Sequence, residues 1–368
     1  MEWSNSNKYN SFNSYKGLTY WDNYKKIVSW WDEKDYLPPP IEVSLDPIAL
    51  CNFNCYYCNS QRYLRDNPDE IPANKRLMSK AYMSDLVKRF HKWGVQGVCL
   101  GGGGDSLLNK HTWGMPSIIQ ANGIEVAVVT NGSMLHASLI RQLLYCRWVG
   151  FSVDAGDEET FKKIHGVDMF YQVVDNIKAL IKARDEAGWP SLEISYKVLI
   201  LPENADKIYG ICEFARSLGV DEFHVRPVDL WRKDVKIARE LNISLDNVKE
   251  DLEKCHELET DTFKVYTVFH KYNEDFSVKH DFKNCIASPL ALQCCTDQNC
   301  YVCPDHRLEE RFKLGSQKDF EKWWGSDKHR NLLKSIDPDK ECSRCTWSEY
   351  NRQIEECVME DGLCRSFP

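Results

Sequence analysis

The sequence predicts an α/β protein with a parallel sheet, followed by a small cysteine-rich domain. Between residues 41 and 230, six apolar segments of strand length alternate with amphipathic segments of helix length. Serial strand–helix units of this kind form parallel sheets covered by helices. Nine of the 16 cysteines of this 368-residue chain crowd between Cys285 and Cys364, which sets the C-terminal part apart. The chain is long enough for both units.

The N-terminal segment, residues 1–40, is polar and rich in aromatic residues. It ends in the rigid run Pro38-Pro39-Pro40, after which the first apolar segment begins. We therefore expect this segment to form a cap that packs over the sheet.

Six segments are candidate strands, because each is a β-branched or apolar run that ends near Gly, Asp or Pro. They cover residues 41–50, 95–102, 124–132, 148–156, 192–200 and 222–228.

Helical periodicity fills the gaps between these strands. The clearest helix covers residues 171–187, because its apolar residues recur on one face and Gly188 follows it. A second helix is expected from the N-cap Ser79 to Gly94, and a third from about Asn204 to residue 219.

The remaining organisation follows from charge. Residues 231–280 are highly charged with a helical pattern, which predicts a helical linker. This linker would join the sheet domain, residues 41–230, to the cysteine-rich domain, residues 281–368.

Composition narrows the functional classes. The net charge of −8 offers no basic surface for a phosphate backbone, so a nucleic-acid substrate is disfavoured. No stretch approaches the roughly 20 apolar residues of a membrane span, and no secretory signal is evident. We expect a soluble, cytoplasmic protein, in which 16 cysteines indicate metal ligation rather than disulfides.

The strongest chemical signal is CNFNCYYC, which places Cys51, Cys55 and Cys58 in a C-x3-C-x2-C spacing directly after the first strand. Structural zinc sites use four protein ligands, whereas thiolates at short spacings hold iron–sulfur clusters. Three thiolates leave one iron open to a small-molecule ligand. Three ordinary loop cysteines, or a zinc knuckle completed from elsewhere, are the alternatives at this point.

With the aromatic Tyr57 before its third cysteine, the motif resembles the signature of radical S-adenosylmethionine (radical SAM) enzymes. The resemblance implies a partial (β/α)6 TIM barrel and a [4Fe–4S] cluster that binds S-adenosylmethionine (SAM). One electron, from a donor such as flavodoxin or ferredoxin, would cleave SAM to methionine and a 5'-deoxyadenosyl radical that abstracts a substrate hydrogen.

Other strand ends resemble SAM-binding parts of that family. After the second strand, GGGGDSLL places Gly103 and Gly104 on the glycines of the motif that holds the SAM amino group, with Asp105 in place of its Glu. A phosphate loop is the alternative, but no GK[ST] follows.

The fourth and sixth strands supply the remaining candidates. Ser152 and Asp154 resemble a Ser-x-Asp that meets SAM, and His165 stands where many relatives have an Arg. Arg226, at the end of the sixth strand, is a candidate catalytic residue that contacts substrate, or else a member of a structural ion pair.

The C-terminal domain carries a second set of thiols, Cys285, Cys303, Cys342 and Cys345, enough to close a cluster completely. The set resembles the twitch domain, the shortened SPASM domain, which implies an auxiliary [4Fe–4S] cluster. DQNCYVC resembles its DGxxxxC hairpin, with Gln298 in place of Gly. A zinc ribbon is the alternative. A second auxiliary cluster stays open for the remaining cysteines of this region, which are Cys294, Cys295, Cys300, Cys357 and Cys364.

The expected function is oxidation of a small molecule, such as a sugar or an aminocyclitol, with the auxiliary cluster accepting an electron or anchoring the substrate. Modification of a ribosomal peptide is the first alternative. A non-catalytic zinc- or cluster-binding interaction protein is the alternative from another class.

Overall fold

A computed structural model describes residue 17 and residues 19–58, 60, 71, 75–189, 191–228, 245–267, 280–342 and 344–359. Most of the predicted linker, the start of the predicted cap and Cys364 lie outside the described residues.

The structure is α/β, as predicted, and a sheet of ten strands runs through the part of the chain that is described. The strands, in chain order, are β1 Glu42–Leu45, β2 Gly97–Leu100, β3 Glu125–Thr130, β4 Trp148–Ser152, β5 Glu193–Ile200, β6 Glu222–Pro227, β7 Lys264–Thr267, β8 Ala291–Cys294, β9 Asn299–Tyr301 and β10 Lys313–Ser316. Their order in the sheet is β10-β9-β8-β1-β2-β3-β4-β5-β6-β7.

Helices connect the parallel strands and continue into the C-terminal part. In chain order they are α1 Trp21–Glu33, α2 Lys80–Trp93, α3 Met115–Ala121, α4 Ala137–Leu143, α5 Glu158–His165, α6 Phe170–Ala187, α7 Ile208–Leu218, α8 Leu245–Glu257, α9 Phe320–Trp323, α10 Asp327–Lys334, α11 Pro338–Glu341 and α12 Ser348–Ile354, which a short π-helix, Glu355–Met359, extends. None of the described helices is long and apolar enough to cross a bilayer.

Local signals for two helices are confirmed. The Ser79 side chain accepts a hydrogen bond from the Tyr82 amide and begins α2, and Gly94 ends it in the left-handed conformation. Gly188 ends α6 in the same way. The third helix was expected from Asn204 but begins at Ile208, because the Asn204 side chain bonds backbone groups of Asp154, Leu199 and Leu201 instead.

All six predicted strands are present, and two further parallel strands extend the sheet on both sides. β7 lies within the segment expected to be a helical linker and pairs with β6. β8, from the cysteine-rich part, pairs in parallel with β1, so that Leu45 lies opposite Cys294. The C-terminal part therefore shares the sheet of the barrel. The remaining boundaries between the proposed domains stay a prediction.

The two faces of the parallel sheet differ in polarity. One face is apolar and buried in the main core, as with Val43 and Leu45 of β1 or Val149 and Phe151 of β4. On the other face, the register places Ser195 beside Glu222 and Lys197 beside His224. The inside of the partial barrel is therefore polar along β5 and β6, which suits a binding cavity there better than a packed centre.

The described part of the cap is bound to the C-terminal helices. Trp30, fully buried on α1, donates from its indole nitrogen to the Gly325 carbonyl at 2.7 Å. Trp324 donates in turn to the Pro38 carbonyl at 2.8 Å. These two hydrogen bonds attach the cap to the C-terminal part and hold the segment before β1 in place.

Glu222 opens β6 on the polar face and is 2% exposed. Burial, reinforced by the charge of Glu193, raises the pKa of Glu222 to about 8, although Lys197 lowers it. The folded protein therefore holds this proton more tightly than the unfolded chain, whose carboxyl titrates near 4.5.

This buried carboxyl generates a pH prediction. Its contribution to stability is present below about pH 4.5 and is lost as the pH rises toward 8. Glu222→Gln, which mimics the neutral acid, should raise the unfolding free energy at pH 8 by about 1–3 kcal/mol and change it little at pH 5. Chemical unfolding across this pH range measures the effect.

Glu213→Gln is the matched control, because Glu213 is exposed on α7. It should leave the pH profile of stability unchanged. If the unfolding free energies of wild type and Glu222→Gln changed with pH in parallel, the raised pKa of Glu222 would be contradicted.

Candidate active site

The loop after β1 brings the three predicted thiols to the carboxyl end of the sheet. Cys51, Cys55 and Cys58 are all partly buried, and the Cys58 amide donates to the Cys55 carbonyl at 3.3 Å. Burial raises the pKa of Cys51 to about 11, and the neighbouring Cys58 adds to that shift. Burial raises the pKa of Cys55 as well, followed by the charges of Cys58, Asp154 and Cys51. The three thiols therefore lie close enough to influence one another's pKa.

The glycine run after β2 lies directly against this loop. A Cβ at Gly104 would stand 2.0 Å from the Leu50 carbonyl oxygen and 2.6 Å from the Leu50 amide nitrogen. At Gly103, the nearest atom would be an Asp46 carboxylate oxygen at 3.7 Å, an ordinary contact. Gly104 is thus required by the backbone just before Cys51, whereas Gly103 borders freer space.

Asp105 was predicted to accept a hydrogen bond from SAM, and its geometry does not fit that role. Its Oδ1 accepts from the Leu107 amide at 3.0 Å. Its Oδ2 accepts from the Thr130 hydroxyl at 2.9 Å and the Asn131 amide at 2.6 Å. Burial raises the pKa of this carboxyl, against these bonds. Asp105 therefore joins the β2 loop to the end of β3.

Asn131 belongs to the run Thr130-Asn131-Gly132 at the end of β3, a run that resembles a common feature of the radical SAM family. Its side-chain amide lies 3.7 Å from the Cys51 sulfur and donates to the Asn52 side chain at 2.8 Å. Asn52 donates in turn to the Ser133 hydroxyl. The loop after β3 therefore holds the first half of the cysteine loop.

Asp154 holds the second half. It lies in the left-handed conformation with φ of 58°, a strained position for a residue other than glycine. Asn204 donates to its carbonyl at 2.7 Å, and its carboxylate accepts from the Leu199 amide at 2.7 Å. The same carboxylate accepts from the Tyr57 hydroxyl. Two predicted SAM contacts, Tyr57 and Asp154, thus bind each other.

His165, a candidate cofactor-binding residue, is engaged by other groups of this chain. It is 1% exposed, and its Nε2 donates to the Val153 carbonyl at 2.8 Å. Its Nδ1 lies 3.0 Å from the Cys55 sulfur, and its own carbonyl accepts from the Asn54 amide. Both ring nitrogens already contact this chain, so His165 supports the cysteine loop from below.

The remaining two candidates lie on the polar face. Ser152 is partly exposed and stands opposite Lys197 in the sheet. Arg226 is partly exposed near the end of β6 and donates to the Pro227 carbonyl at 3.4 Å. Its charge is among the influences that lower the pKa of Asp154 against the effect of burial. Both residues remain candidates.

Asp46 and Arg307 form a bridge that the sequence did not reveal. Arg307 Nε lies 3.0 Å from the Asp46 carboxylate, and its Nη1 donates to the Ser60 hydroxyl at 3.0 Å. Burial raises the pKa of Asp46, against the charge of Arg307. Asp46 Oδ1 and Gln293 Oε1 are buried acceptors without a hydrogen-bond partner among the described groups. No local pattern marks a pair so far apart in the chain.

The four C-terminal thiols also lie close enough to influence one another's pKa. Burial raises the pKa of Cys303 well above its usual range, with further contributions from Asp305, Cys285, Cys345 and Cys342. Burial likewise raises the pKa of Cys285, followed by Cys345 and Cys342. The structure thus brings together the predicted set from three separate segments.

Buried polar side chains connect those segments. The Asp305 carboxylate accepts from Arg344 Nε at 2.7 Å and from the Thr346 hydroxyl at 2.7 Å, which holds the C-x2-C loop beside Cys303. Asn351 accepts from the Ala287 amide at 2.7 Å. Glu355 accepts from the amides of residues 283 and 284, next to Cys285.

The other C-terminal cysteines do not converge. Cys294 and Cys300 face each other across β8 and β9, whereas the Cys295 sulfur lies 3.7 Å from Asp46. Cys357 is exposed. Among the described residues, no group of three or more Cys, His, Asp or Glu side chains is arranged to hold a metal ion. Both ligand sets therefore stay predictions.

Gln298 explains a mismatch in the hairpin that carries Cys303. Its φ of 68° lies in the left-handed region, where glycine is favoured. The Gln298 amide donates to the Cys295 carbonyl, which closes the turn between β8 and β9. The position thus has the backbone of the Gly in DGxxxxC.

A sequence model for the radical SAM superfamily matches residues 46–215. This chain carries a radical SAM domain. The match begins at the end of β1 and includes the cysteine loop, the glycine run, Ser152, Asp154 and His165. The superfamily uses a [4Fe–4S] cluster with SAM, and the all-thiol donor set of the loop fits that cluster.

Curated relatives of the radical SAM domain share about a quarter of its residues. A probable GTP 3',8-cyclase from Saccharolobus islandicus is 27% identical over 209 residues, which is 56% of this chain and 62% of the relative. One from Sulfurisphaera tokodaii is 28% identical over 210 residues, with the same coverage. The match therefore spans less than two thirds of these relatives.

Solved structures show the same fold over most of the chain. SuiB from Streptococcus suis, bound to SAM, has a TM-score of 0.63 at 14% identity, covering 86% of this chain and 73% of SuiB. A complex of anSMEcpe with SAM and the Kp18Cys peptide has a TM-score of 0.58 at 16% identity, covering 85% of this chain and 88% of that protein. The fold likeness extends beyond the radical SAM domain.

The contrast between the two glycines yields a prediction. Gly104→Ala should displace the backbone at Leu50 and lower the iron content of the reconstituted protein several-fold, because its Cβ would overlap main-chain atoms. Gly103→Ala has room for its Cβ and should keep its iron. Iron analysis with circular dichroism, to verify folding, measures the difference.

The control also separates two roles for the glycine run. If Gly103 borders the SAM site, Gly103→Ala should weaken SAM binding at full iron content. Equal iron in wild type and Gly104→Ala would overturn the packing argument.

Proposed function

We propose that this chain is a radical SAM oxidoreductase that abstracts a hydrogen atom from a small molecule and completes a net oxidation with the help of an auxiliary [4Fe–4S] cluster. The observation that carries the proposal is the pairing of two thiol sets on one sheet. One set has three thiols after β1, and the other has four thiols from three C-terminal segments.

The first set would hold the SAM-binding cluster through Cys51, Cys55 and Cys58. When bound there, the cluster with SAM supplies a one-electron cleavage that produces a hydrogen-abstracting radical. The chain itself contributes placement. His165 and Asn131 contact two of the three sulfurs, and the buried carboxylates of Asp105 and Asp154 fix the loops beside them.

The second set would hold the auxiliary cluster through Cys285, Cys303, Cys342 and Cys345. Four thiols leave no iron open, which suits electron transfer better than SAM chelation. Asp305 and Asn351 hold the segments that carry these thiols together. Asn351 also donates to the Cys345 sulfur at 3.4 Å, as expected of an amide that supports a metal ligand.

A sugar or an aminocyclitol is the substrate class that the polar barrel face supports best. Among the described residues, Asp46 Oδ1 just after β1 and Gln293 Oε1 on β8 are buried acceptors without a hydrogen-bond partner. Unpaired buried acceptors are costly, so a ligand that offers hydroxyl or amino donors would be favoured there. The curated relatives are named as GTP cyclases, and GTP is itself a small molecule.

Modification of a peptide is the second candidate. SuiB has been solved with the precursor peptide SuiA, with a TM-score of 0.60 to this chain, and anSMEcpe has been solved with peptides. The two candidates are separated by deuterated substrates, because transfer of label into 5'-deoxyadenosine identifies the molecule that loses hydrogen. A flavodoxin or ferredoxin is the proposed electron donor for either.

The first thiol set is tested by replacing Cys51, Cys55 and Cys58 together by Ala. Under a chemical reductant, formation of 5'-deoxyadenosine from SAM should fall to background, because the iron that binds SAM is lost. Liquid chromatography of the reaction measures it. Cys357→Ala, which removes an exposed cysteine outside both sets, is the control and should keep full SAM cleavage.

The auxiliary set is tested by the double variant Cys342→Ala/Cys345→Ala. Its iron should fall from about eight to about four atoms per chain, since each [4Fe–4S] cluster holds four irons. Cleavage of SAM without substrate should survive, because the first thiol set is intact. A double variant with a full iron complement would return these thiols to zinc or to no metal.

A further inference from the structure

Cys294 and Cys300 form a thiol pair that neither proposed cluster uses. They lie directly opposite each other on the antiparallel strands β8 and β9, with their sulfurs 3.5 Å apart. Both side chains are fully buried. The pair lies in the hairpin that leads to Cys303.

The geometry of the pair matches that of a disulfide. Opposite residues on antiparallel strands have Cα atoms about 4.5–5.5 Å apart, within the range of about 4.4–6.8 Å that disulfides span. The sulfurs need to close from 3.5 Å to about 2.05 Å, which is within the reach of side-chain rotation. No strand has to shift its register.

The pair is separate from the thiols on the other face of β8. The Cys295 side chain points toward Asp46, inside the barrel, because neighbouring residues of a strand face opposite sides. On the side of Cys294 and Cys300 lies Tyr82 of α2, whose hydroxyl donates to Gln317. Burial raises the pKa of Tyr82, and Cys294 and Cys300 add to this effect.

We propose that Cys294 and Cys300 are a modification site, a dithiol that a small-molecule disulfide oxidises to a cross-strand disulfide. One cysteine thiolate attacks the small disulfide, and one small thiol leaves. The second cysteine then displaces the other small thiol from the mixed disulfide. The two cysteines lose two electrons and two protons, and the small disulfide gains them as two thiols.

Access controls the rate of this reaction. A buried thiol reacts slowly when only a small fraction of it is ionised to the thiolate. Burial raises the pKa of the Cys300 thiol, which keeps this fraction small. The hairpin lies near one edge of the sheet, where β10 is the one described strand beyond β9. Local opening at this edge admits the oxidant.

The disulfide would act on the neighbouring thiol set. Cys303 follows Cys300 on the same strand end, and Asp305 joins it to the C-x2-C loop. A covalent link across the hairpin restrains Cys303 whether or not a metal is bound. The inference therefore stands independently of the proposed function.

Residue-level labelling tests the proposal. Wild-type protein with its metal content intact is incubated without oxygen with oxidised glutathione, then denatured and alkylated with N-ethylmaleimide. Reduction and a second alkylation with iodoacetamide follow. Trypsin releases residues 284–307 as one peptide, which contains Cys285, Cys294, Cys295, Cys300 and Cys303.

The expected result is the second label on Cys294 and Cys300 together and the first label on the other three cysteines. The melting temperature should rise by a few degrees in the oxidised protein, because the link restricts the unfolded chain. Unchanged iron content should accompany both effects.

Two variants sharpen the result. Cys295→Ser is the matched control, because Cys295 is adjacent in sequence but faces Asp46, and it should leave the pair intact. Cys300→Ser should abolish the temperature shift. A pair that keeps the first label after prolonged oxidation overturns the proposal. So does a second label on Cys285, Cys295 or Cys303 in place of the pair.

Discussion

The candidate active site depends on two carboxylates that are buried at the carboxyl end of the sheet. A buried carboxylate without partners is strongly unfavourable, so its surroundings must present donors in fixed positions. Asp105 collects donors from the β2 loop and the end of β3, and Asp154 collects them from β5 and from Tyr57. The cysteine loop lies between these two networks. Its geometry is therefore a consequence of satisfying the carboxylates, and any change at either one reaches the thiols.

Much of the fold could be predicted, because its main signals are local. The six central strands are apolar runs, and α2 and α6 carry their own end signals in Ser79, Gly94 and Gly188. β7 and β8 were not predicted. Each has four residues within a charged or cysteine-rich segment, which is too short a stretch for strand periodicity to be recognised. Their strand character depends on β6 and β1, which lie far away in the chain.

The candidate site shows the same division between local and long-range information. Spacing and family resemblance singled out the cysteines, and within each set the structure places thiols close enough to influence one another's pKa. The roles of polar residues could not be predicted, because they depend on partners distant in sequence. His165 lies 110 positions from Cys55, and Arg307 binds Asp46 across most of the chain. A motif position shows where such a side chain stands but not whether its polar atoms are already engaged.

The parallel pairing of β8 with β1 has a consequence for how the protein is made. The edge of β1 stays uncovered during synthesis until residue 294 has left the ribosome, although β1 begins at residue 42. An uncovered strand edge is a site of wrong pairing, and long-range pairing slows folding. Until residue 307 has been made, the ion pair between Arg307 and Asp46 cannot form. The part of the sheet beside Cys51 is therefore completed late in translation, only after the C-terminal part of the chain has been made.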